Sequence, residues 1–140
     1  MKPNLDWLRH QRLSQVEKKD YTWFFTFEGG GSVNIDSAWR LISADGIIVT
    51  SEDHGHPFGL PEPVDAGKRV IGAVQNKRVS DYLCSKPTSD LTILFEGEIQ
   101  IQFLNMSCGY ESWTAWNNDV QIICLGGGEL ESFGPQAKAE

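Results

Sequence analysis

The residues best suited to chemistry lie in one short segment, "SEDHGHPFGLPEP", at positions 51–63. It places Asp53 beside His54 and His56, and a His-x-His pair on an extended chain points both rings to the same side. Neutral imidazoles bind zinc or iron, but a metal centre needs a third and usually a fourth protein ligand. The remaining histidine and the three cysteines show no recognisable ligand spacing. We therefore interpret the segment as a polar loop and expect no metal or other cofactor.

A second group of chemistry-bearing residues is the segment "GYESWTAW", which contains Tyr110, Glu111, Trp113 and Trp116. Aromatic rings beside a carboxylate could hold a cation or anchor a protein partner. Tryptophans of this kind are more simply core residues, so we expect Trp113 and Trp116 to be buried. Tyr110 and Glu111 are then expected to be the exposed pair.

The other motifs do not complete a catalytic site. The two "GGG" segments, at 29–31 and 126–128, lack the following helix and the Lys-Ser/Thr of a phosphate-binding loop, so they indicate turns. Cys108 has no histidine near it in sequence that could activate the thiol. The nucleophile motif G-x-S-x-G is absent. These observations favour a protein that is not an enzyme.

Composition predicts one folded domain, residues 1–133, with a disordered tail at 134–140. The chain has 140 residues, of which 40% are hydrophobic, and it contains five tryptophans. The N-terminal segment has no apolar core of a signal peptide, and no apolar run approaches the length of a membrane span. Three cysteines without C-x-x-C spacing predict free thiols in a cytoplasmic protein.

Charge is distributed unevenly along the chain, whose net charge is −7. Between Asp90 and Gly134 there are seven acidic residues and no Lys or Arg: Asp90, Glu96, Glu98, Glu111, Asp119, Glu129 and Glu131. Such a segment repels a phosphate backbone and attracts a basic protein surface, so it disfavours nucleic acid as a partner. The alternative is a solvated acidic face that only keeps the protein soluble.

Two halves of the chain repeat the same pattern, at about residues 5–50 and 71–125. "LDWLRHQRLS" aligns with "IGAVQNKRVS", "WFFTFEG" with "LTILFEG", and "SVNID" with "EIQIQ". Trp39 aligns with Trp113, and "GIIV" with "DVQI", in the same order. Each half predicts one short helix followed by an antiparallel meander, with "EGGGS" and "EGE" as hairpin turns.

The predicted fold is therefore an α+β domain of two duplicated helix-plus-meander halves, related by a pseudo-twofold axis as one sheet or a split barrel. In "IQIQF", strict alternation predicts that Ile99, Ile101 and Phe103 face the core. Two segments break the repeat, "SEDHGHPFGLPEP" and "LNMSCGYES", and these are where function could have been added. One alternative places a pocket between the halves, lined by Arg40, Asp53, His54 and His56.

Taken together, "DHGHPFGLPEPVDA", "GYESW" and "GGGELESF" resemble a family of small bacterial proteins without an assigned activity. Its members have a Trp-Arg pair after the first hairpin (Trp39-Arg40 here), an aspartate-rich loop and a Tyr-Glu-x-Trp element. The resemblance runs from roughly Trp23 to Phe133. Members are similar to the single-domain immunity partners of bacterial polymorphic toxins, so the resemblance implies a toxin domain as the partner.

The sequence thus predicts a non-enzymatic cytoplasmic binding protein, an immunity protein whose acidic surface covers a basic toxin domain. The residues expected to bind the partner are Glu96, Glu98, Tyr110, Glu111 and Asp119. One alternative is a small-molecule or metal-binding domain, or an enzyme, that uses the loop Asp53–Gly59. Another is a structural subunit that forms a homodimer through an exposed sheet edge. No nucleic acid and no membrane are expected as partners.

Overall fold

The computed structural model describes residues 3–134. The predicted tail lies outside the described residues except for Gly134. Within the described range the chain forms eleven β-strands and one α-helix. The strands are β1 (Leu13–Lys19), β2 (Thr22–Phe27), β3 (Ser32–Ile35), β4 (Trp39–Ser43), β5 (Gly46–Thr50), β6 (Val79–Ser85), β7 (Asp90–Phe95), β8 (Ile99–Phe103), β9 (Trp113–Trp116), β10 (Gln121–Cys124) and β11 (Leu130–Phe133), and the helix is α1 (Ala66–Val74).

The strands form two antiparallel sheets. The six-stranded sheet has the order β1-β2-β3-β9-β10-β11, and the five-stranded sheet has the order β5-β4-β8-β7-β6. The six-stranded sheet combines two three-strand meanders, β1-β2-β3 and β9-β10-β11. The five-stranded sheet combines the meander β6-β7-β8 with the hairpin β4-β5. The protein is therefore mostly β, as the alternating patterns predict.

The meanders β1-β2-β3 and β6-β7-β8 each have a shift of strand register at the same place. Leu13 pairs with Phe27 and Val79 with Phe95, and in each case the register shifts at the next residue of the first strand. The last strand of each meander then pairs with a strand that carries a tryptophan and comes from a distant part of the chain. Trp113 pairs with Ile35 in one sheet, and Trp39 pairs with Phe103 in the other.

A single hydrophobic core lies between the sheets. The ring centroid of Phe25, on β2, lies 5.2 Å from that of Trp39 and 4.9 Å from that of Phe103, both in the five-stranded sheet. All three side chains are buried, and the rings meet edge to face, which aromatic pairs prefer. As predicted, Ile101 and Phe103 are buried, while Ile99 is partly buried against the core.

The helix α1 packs against β1 of one sheet and β5 of the other, and it adds apolar side chains to the core. Its buried residues, Ala66, Gly67, Val70 and Val74, recur at helical spacing and face inward. The carboxylate of Asp65 accepts a hydrogen bond from the backbone N–H of Lys68 at 3.0 Å and caps the first turn.

The prediction of one helix in each half is wrong for the first half. Residues Asp6–Leu8 form a single 3₁₀ turn. Leu5 and Leu8 are fully buried there, and the chain then pairs with another segment, since His10 N–H donates to the carbonyl oxygen of Val79 at 2.8 Å. This bond ties the chain after the turn to the start of β6, and β1 begins three residues later at Leu13.

Candidate functional site

The segment that breaks the repeat before β9 forms one wall of a surface cavity. Asn105 anchors this segment, because its backbone N–H donates to Asp90 Oδ1 at 2.8 Å and its side-chain amide donates to the carbonyl oxygen of Thr88 at 2.9 Å. The hydroxyl of Ser107 then accepts hydrogen bonds from the N–H groups of Gly109 and Tyr110. These contacts hold Tyr110 at the surface, where its side chain is 82% exposed.

The first cavity, of about 550 Å³, lies between this segment and the end of β3. Its carboxylates come from Asp36 and Glu111, which are both exposed. A backbone hydrogen bond of 3.0 Å from Asp36 N–H to the carbonyl oxygen of Ser112 joins the two walls. The full lining is Asp36, Ser37, Met106, Ser107, Tyr110, Glu111 and Ser112.

Two further cavities continue the first across the outer face of the six-stranded sheet. The central cavity, of about 310 Å³, shares Asp36, Glu111 and Ser112 with the first and adds Trp116 from β9. The third, of about 350 Å³, shares Trp116 with the central one and extends to Asp119. We refer to the three together as the outer groove.

The outer groove is acidic and partly aromatic. Its carboxylates are Asp36, Glu111 and Asp119, and none of the described residues that line it is basic. Three exposed aromatic side chains flank it: Tyr110, Trp116 (38% exposed) and Phe133 (46% exposed). This combination is suited to binding a cationic surface.

Two residues that line the central cavity, Asn34 and Ser112, have their side-chain oxygens buried from solvent. The Ser112 residue is only 5% exposed. Burial raises the pKa of the nearby Cys124 thiol, and a side-chain hydrogen bond with the Ser112 hydroxyl acts against this by lowering that pKa. The Ser112 hydroxyl therefore lies beside a core thiol.

The groove brings together three of the five residues predicted to bind a partner, Tyr110, Glu111 and Asp119. The expectation that Tyr110 and Glu111 are exposed is confirmed, whereas partner binding by these residues stays a prediction. Glu96 and Glu98 lie elsewhere, in the turn before β8, whereas the groove residue Met106 follows the end of β8. A strand of five residues separates the two places by roughly 16 Å.

In the loop after β5, the side chains of Asp53 and His54 accept hydrogen bonds from nearby backbone N–H groups. The carboxylate of Asp53 accepts the backbone N–H of Thr50 at 2.9 Å, which caps a short 3₁₀ turn. Nδ1 of His54 accepts the N–H of Ala66 at 3.1 Å at the start of α1, and its ring packs on Trp23.

The other two residues of the alternative pocket lie apart from this pair. The exposed ring of His56 packs against Phe58. Arg40 lies on the outer face of the five-stranded sheet, where its Nε donates to Gln102 Oε1. Within residues 3–134, no group of three or more His, Cys, Asp or Glu side chains is arranged to hold a metal ion.

The prediction that both tryptophans of "GYESWTAW" are core residues is wrong for Trp116. Trp113 is fully buried, but Trp116 lies in the groove. Residues three positions apart on a strand point to opposite faces, so only one of the two can face the core. The same alternation was the available signal for Trp116 as a surface residue.

Sequence reasoning also missed Asp36 and Asn34. Both alternate outward along β3, opposite to the buried Val33 and Ile35. Their pattern marks them as polar surface residues. Their position beside Glu111 follows only from the pairing of β3 with β9.

Comparisons with protein-family models, curated proteins and solved structures gave no match. No helix in the described part of the chain has the length and apolar character needed to cross a membrane.

Proposed function

We propose that this chain is a binding protein whose outer groove receives a basic surface of a partner protein. The observation that carries the proposal is the continuous groove, which contains three carboxylates and three flanking aromatic side chains but no basic residue among those described. Tyrosine and tryptophan are enriched at the energetic centres of protein interfaces. Tyr110 and Trp116 are therefore the proposed anchors.

Charge would act mainly on the rate of association. A groove lined by charges of one sign attracts an oppositely charged partner and raises the association rate by roughly 10–10³-fold. The attraction is screened beyond about 8 Å at physiological ionic strength, so the association rate would fall as salt increases. Glu111 and Asp119 would contribute to this steering.

The proposed partner is a basic toxin domain, which the protein would neutralise as an immunity protein in the cytoplasm. One observation supports this choice, the seven acids with no Lys or Arg between Asp90 and Gly134. The expected resemblance to a family similar to immunity proteins motivates it. A domain that acts on nucleic acid carries a positive surface for its substrate. An acidic partner that covers this surface would block substrate access.

A duplicated ancestry is also part of the proposal. The hydroxyls of Ser14 and Ser80 donate to the carbonyl oxygens of Thr26 and Leu94 at the two matching register shifts. The strand pairings of Trp39 and Trp113 correspond in the same way. Under this proposal the groove lies where the second half gained the segment before β9.

The alternative, a small-molecule or metal site in the loop Asp53–Gly59, is not favoured by a specific observation. Asp53 and His54 cap a turn and a helix, and Arg40 faces away from the core.

The test starts from capture of a partner by the tagged protein from lysate of its native host, at low and at moderate salt. Binding of the captured and purified partner is then measured by surface plasmon resonance. The double variant E111Q/D119N should lower the association rate and reduce its dependence on salt. The matched control is E96Q/E98Q, which removes the same charge outside the groove and keeps an acceptor for the N–H of Arg78.

A partner that binds both double variants equally well would contradict the groove as the interface. The toxin assignment has its own test. The captured protein, expressed alone, should arrest growth, and co-expression of the wild-type chain should restore it. A partner without toxicity would overturn the immunity assignment but leave the groove as a binding surface.

A further inference from the structure

The third cavity of the outer groove contains two exposed aromatic side chains at a defined spacing. Gln121, on β10, pairs with Trp116 on one neighbouring strand and with Phe133 on the other. All three residues are exposed and line this cavity, so their side chains project from the same face of the sheet. Neighbouring strands lie about 4.8 Å apart, so roughly 10 Å separates the two aromatic residues across the sheet.

The backbone that carries this aromatic pair is held in place by local contacts. The side-chain oxygen of Asn117 accepts the N–H of Asp119 at 2.9 Å and the N–H of Val120 at 3.0 Å, and these bonds fix the turn between β9 and β10. Gly134, directly after Phe133, lies so close to the carbonyl oxygen of Asp119 that a Cβ atom would clash there. The end of β11 is therefore packed on this turn, and the spacing of the two rings is set before a ligand binds.

We infer that this cavity binds a proline-rich segment of the partner, in the polyproline II conformation and with a basic residue beside the prolines. The inference rests on the proposed function, because it names the kind of segment through which the basic partner is recognised. A polyproline II helix has three residues per turn and rises about 3.1 Å per residue, so prolines three residues apart lie on one face about 9.3 Å from each other. This repeat matches the roughly 10 Å between Trp116 and Phe133, so each ring would contact one proline.

The polar side chains of the cavity complement the backbone of such a segment. A polyproline II helix has no internal hydrogen bonds, and a proline offers a carbonyl oxygen but no N–H. The segment therefore needs hydrogen-bond donors from its binding site. Gln121 and the exposed Asn118 carry side-chain amide N–H groups, and Trp116 carries an indole N–H.

Charge in the groove indicates which residues flank the prolines. Asp119 lines the third cavity, and Glu111 lines the central cavity, which shares Trp116 with the third. No basic residue lines either cavity in the described part of the chain. An arginine or lysine beside the prolines would lie close to one of these carboxylates.

A neutral sugar is the competing ligand. Its hydroxyl groups could bond to the same amides, and its ring could stack on Trp116. A sugar has no positive charge for Glu111 and Asp119, so the carboxylates favour the basic peptide. The sugar is therefore included as an outcome of the test.

The experiment titrates the full chain, labelled with ¹⁵N, and follows amide and indole signals by NMR. The main probe is an acetylated and amidated peptide in which every third residue is proline, the others are alanine, and arginine stands at each end. It should shift the Trp116 indole signal and the side-chain amide signals of Asn118 and Gln121 in one saturable process.

Three further probes separate the features of the ligand. A peptide with glycine in place of each proline keeps the charge but loses the preformed helix, and it should bind on the order of tenfold more weakly. A peptide with glutamine in place of each arginine should bind roughly threefold more weakly. A β-linked glucose oligosaccharide should leave the cavity signals in place.

Variants test the two-ring geometry. F133A should weaken binding of the main probe on the order of tenfold, because it removes one of the two rings. F133Y keeps a ring and should retain binding. The matched control is F58A, which removes a similarly exposed phenylalanine from the loop after β5 and should leave the affinity unchanged. Because both phenylalanines are exposed, the variants are expected to fold, and retained dispersion of the spectrum checks this.

The inference is overturned if the main probe gives no localised shifts, if the glycine peptide binds equally well, if F58A weakens binding as much as F133A, or if the oligosaccharide binds more tightly than the peptide. These results do not depend on partner capture. Localised binding of the proline peptide without a captured basic partner would leave this site standing and remove the proposed partner. A captured partner that depends on Glu111 and Asp119, but that the proline peptide does not displace, would keep the proposed function and remove this inference.

Discussion

The backbone N–H of Asp36 donates a 3.0 Å hydrogen bond to the carbonyl oxygen of Ser112. This bond continues the pairing of β3 with β9 beyond the last strand residues, and it aligns the first acid of the groove with the segment that carries Glu111. Two parts of the chain that are far apart in sequence therefore build one acidic surface. The stability of the groove depends on the sheets that hold these strands.

Replacing Ser112 with alanine tests how much its buried hydroxyl stabilises the fold. In S112A the backbone bond from residue 112 N–H to the carbonyl oxygen of Cys124 remains, and only the buried hydroxyl beside the Cys124 thiol is removed. We expect the free energy of unfolding to stay within about 1 kcal/mol of wild type, because a hydrogen bond to sulfur is weak. Urea unfolding measures this, and a loss of several kcal/mol would contradict a weak role for the hydroxyl.

The contact between the sheets is tested at two adjacent phenylalanines. Phe25 is buried between Trp39 and Phe103, so F25A should lower the free energy of unfolding by about 3–5 kcal/mol. Phe24 points to the outer face and is only partly buried, so F24A should cost clearly less. Both are measured by urea unfolding. Equal losses would contradict the assignment of the two faces of β2.

Two glycines of α1 should respond to alanine in opposite directions. At Gly67 a Cβ atom would lie 2.5 Å from the carbonyl oxygen of Val16, whereas at Gly72 it would meet nothing within 4 Å. We expect G67A to destabilise by roughly 1–3 kcal/mol and G72A to stabilise by roughly 0.5–1 kcal/mol. Thermal unfolding of the two variants checks this. Stabilisation by G67A would show that α1 does not pack closely on β1.

Tyr82 predicts a specific dependence of stability on pH. Burial raises its pKa, its hydroxyl lies 2.9 Å from Asp6 Oδ1, and it accepts the N–H of Leu5 at 3.0 Å. A raised pKa in the folded state means that the contribution is complete below the unfolded value, about 10, and is lost as pH rises through the folded value. Y82F should therefore cost about 1–3 kcal/mol at neutral pH.

The difference in the free energy of unfolding between wild type and Y82F should then narrow above about pH 10. Urea unfolding of both proteins across this range measures it, and the comparison cancels titrations that the two share. A difference that stays constant at high pH would mean that ionisation of Tyr82 is not linked to unfolding.

Most strand positions followed from local pattern. The predicted turn "EGE" lies between β7 and β8, and "IQIQF" forms β8 at Ile99–Phe103. Alternation and glycine turns are local properties, so they are readable without the rest of the fold. The same alternation places Trp116 on the surface, because it lies three residues after the buried Trp113.

Only some of the residues that line the outer groove could be predicted from the sequence. Tyr110, Glu111 and Asp119 stood out because they lie in a segment rich in acids and without Lys or Arg. Glu96 and Glu98 belong to the same segment, yet β8 carries the chain to the opposite end of the sheet before Met106. Closeness in sequence does not predict closeness in space when a strand intervenes, because each strand residue advances the chain by about 3.3 Å.

The sequence by itself determined the β-rich class, the antiparallel hairpins, the free cysteines and the acidic character of the second half, because each depends on composition or on short-range periodicity. Tertiary structure alone decided that β3 lies beside β9, and so that Asp36 and Asn34 join Glu111 and Ser112 in one cavity. Strand order within a sheet is set by long-range packing of the buried faces, which no local pattern records.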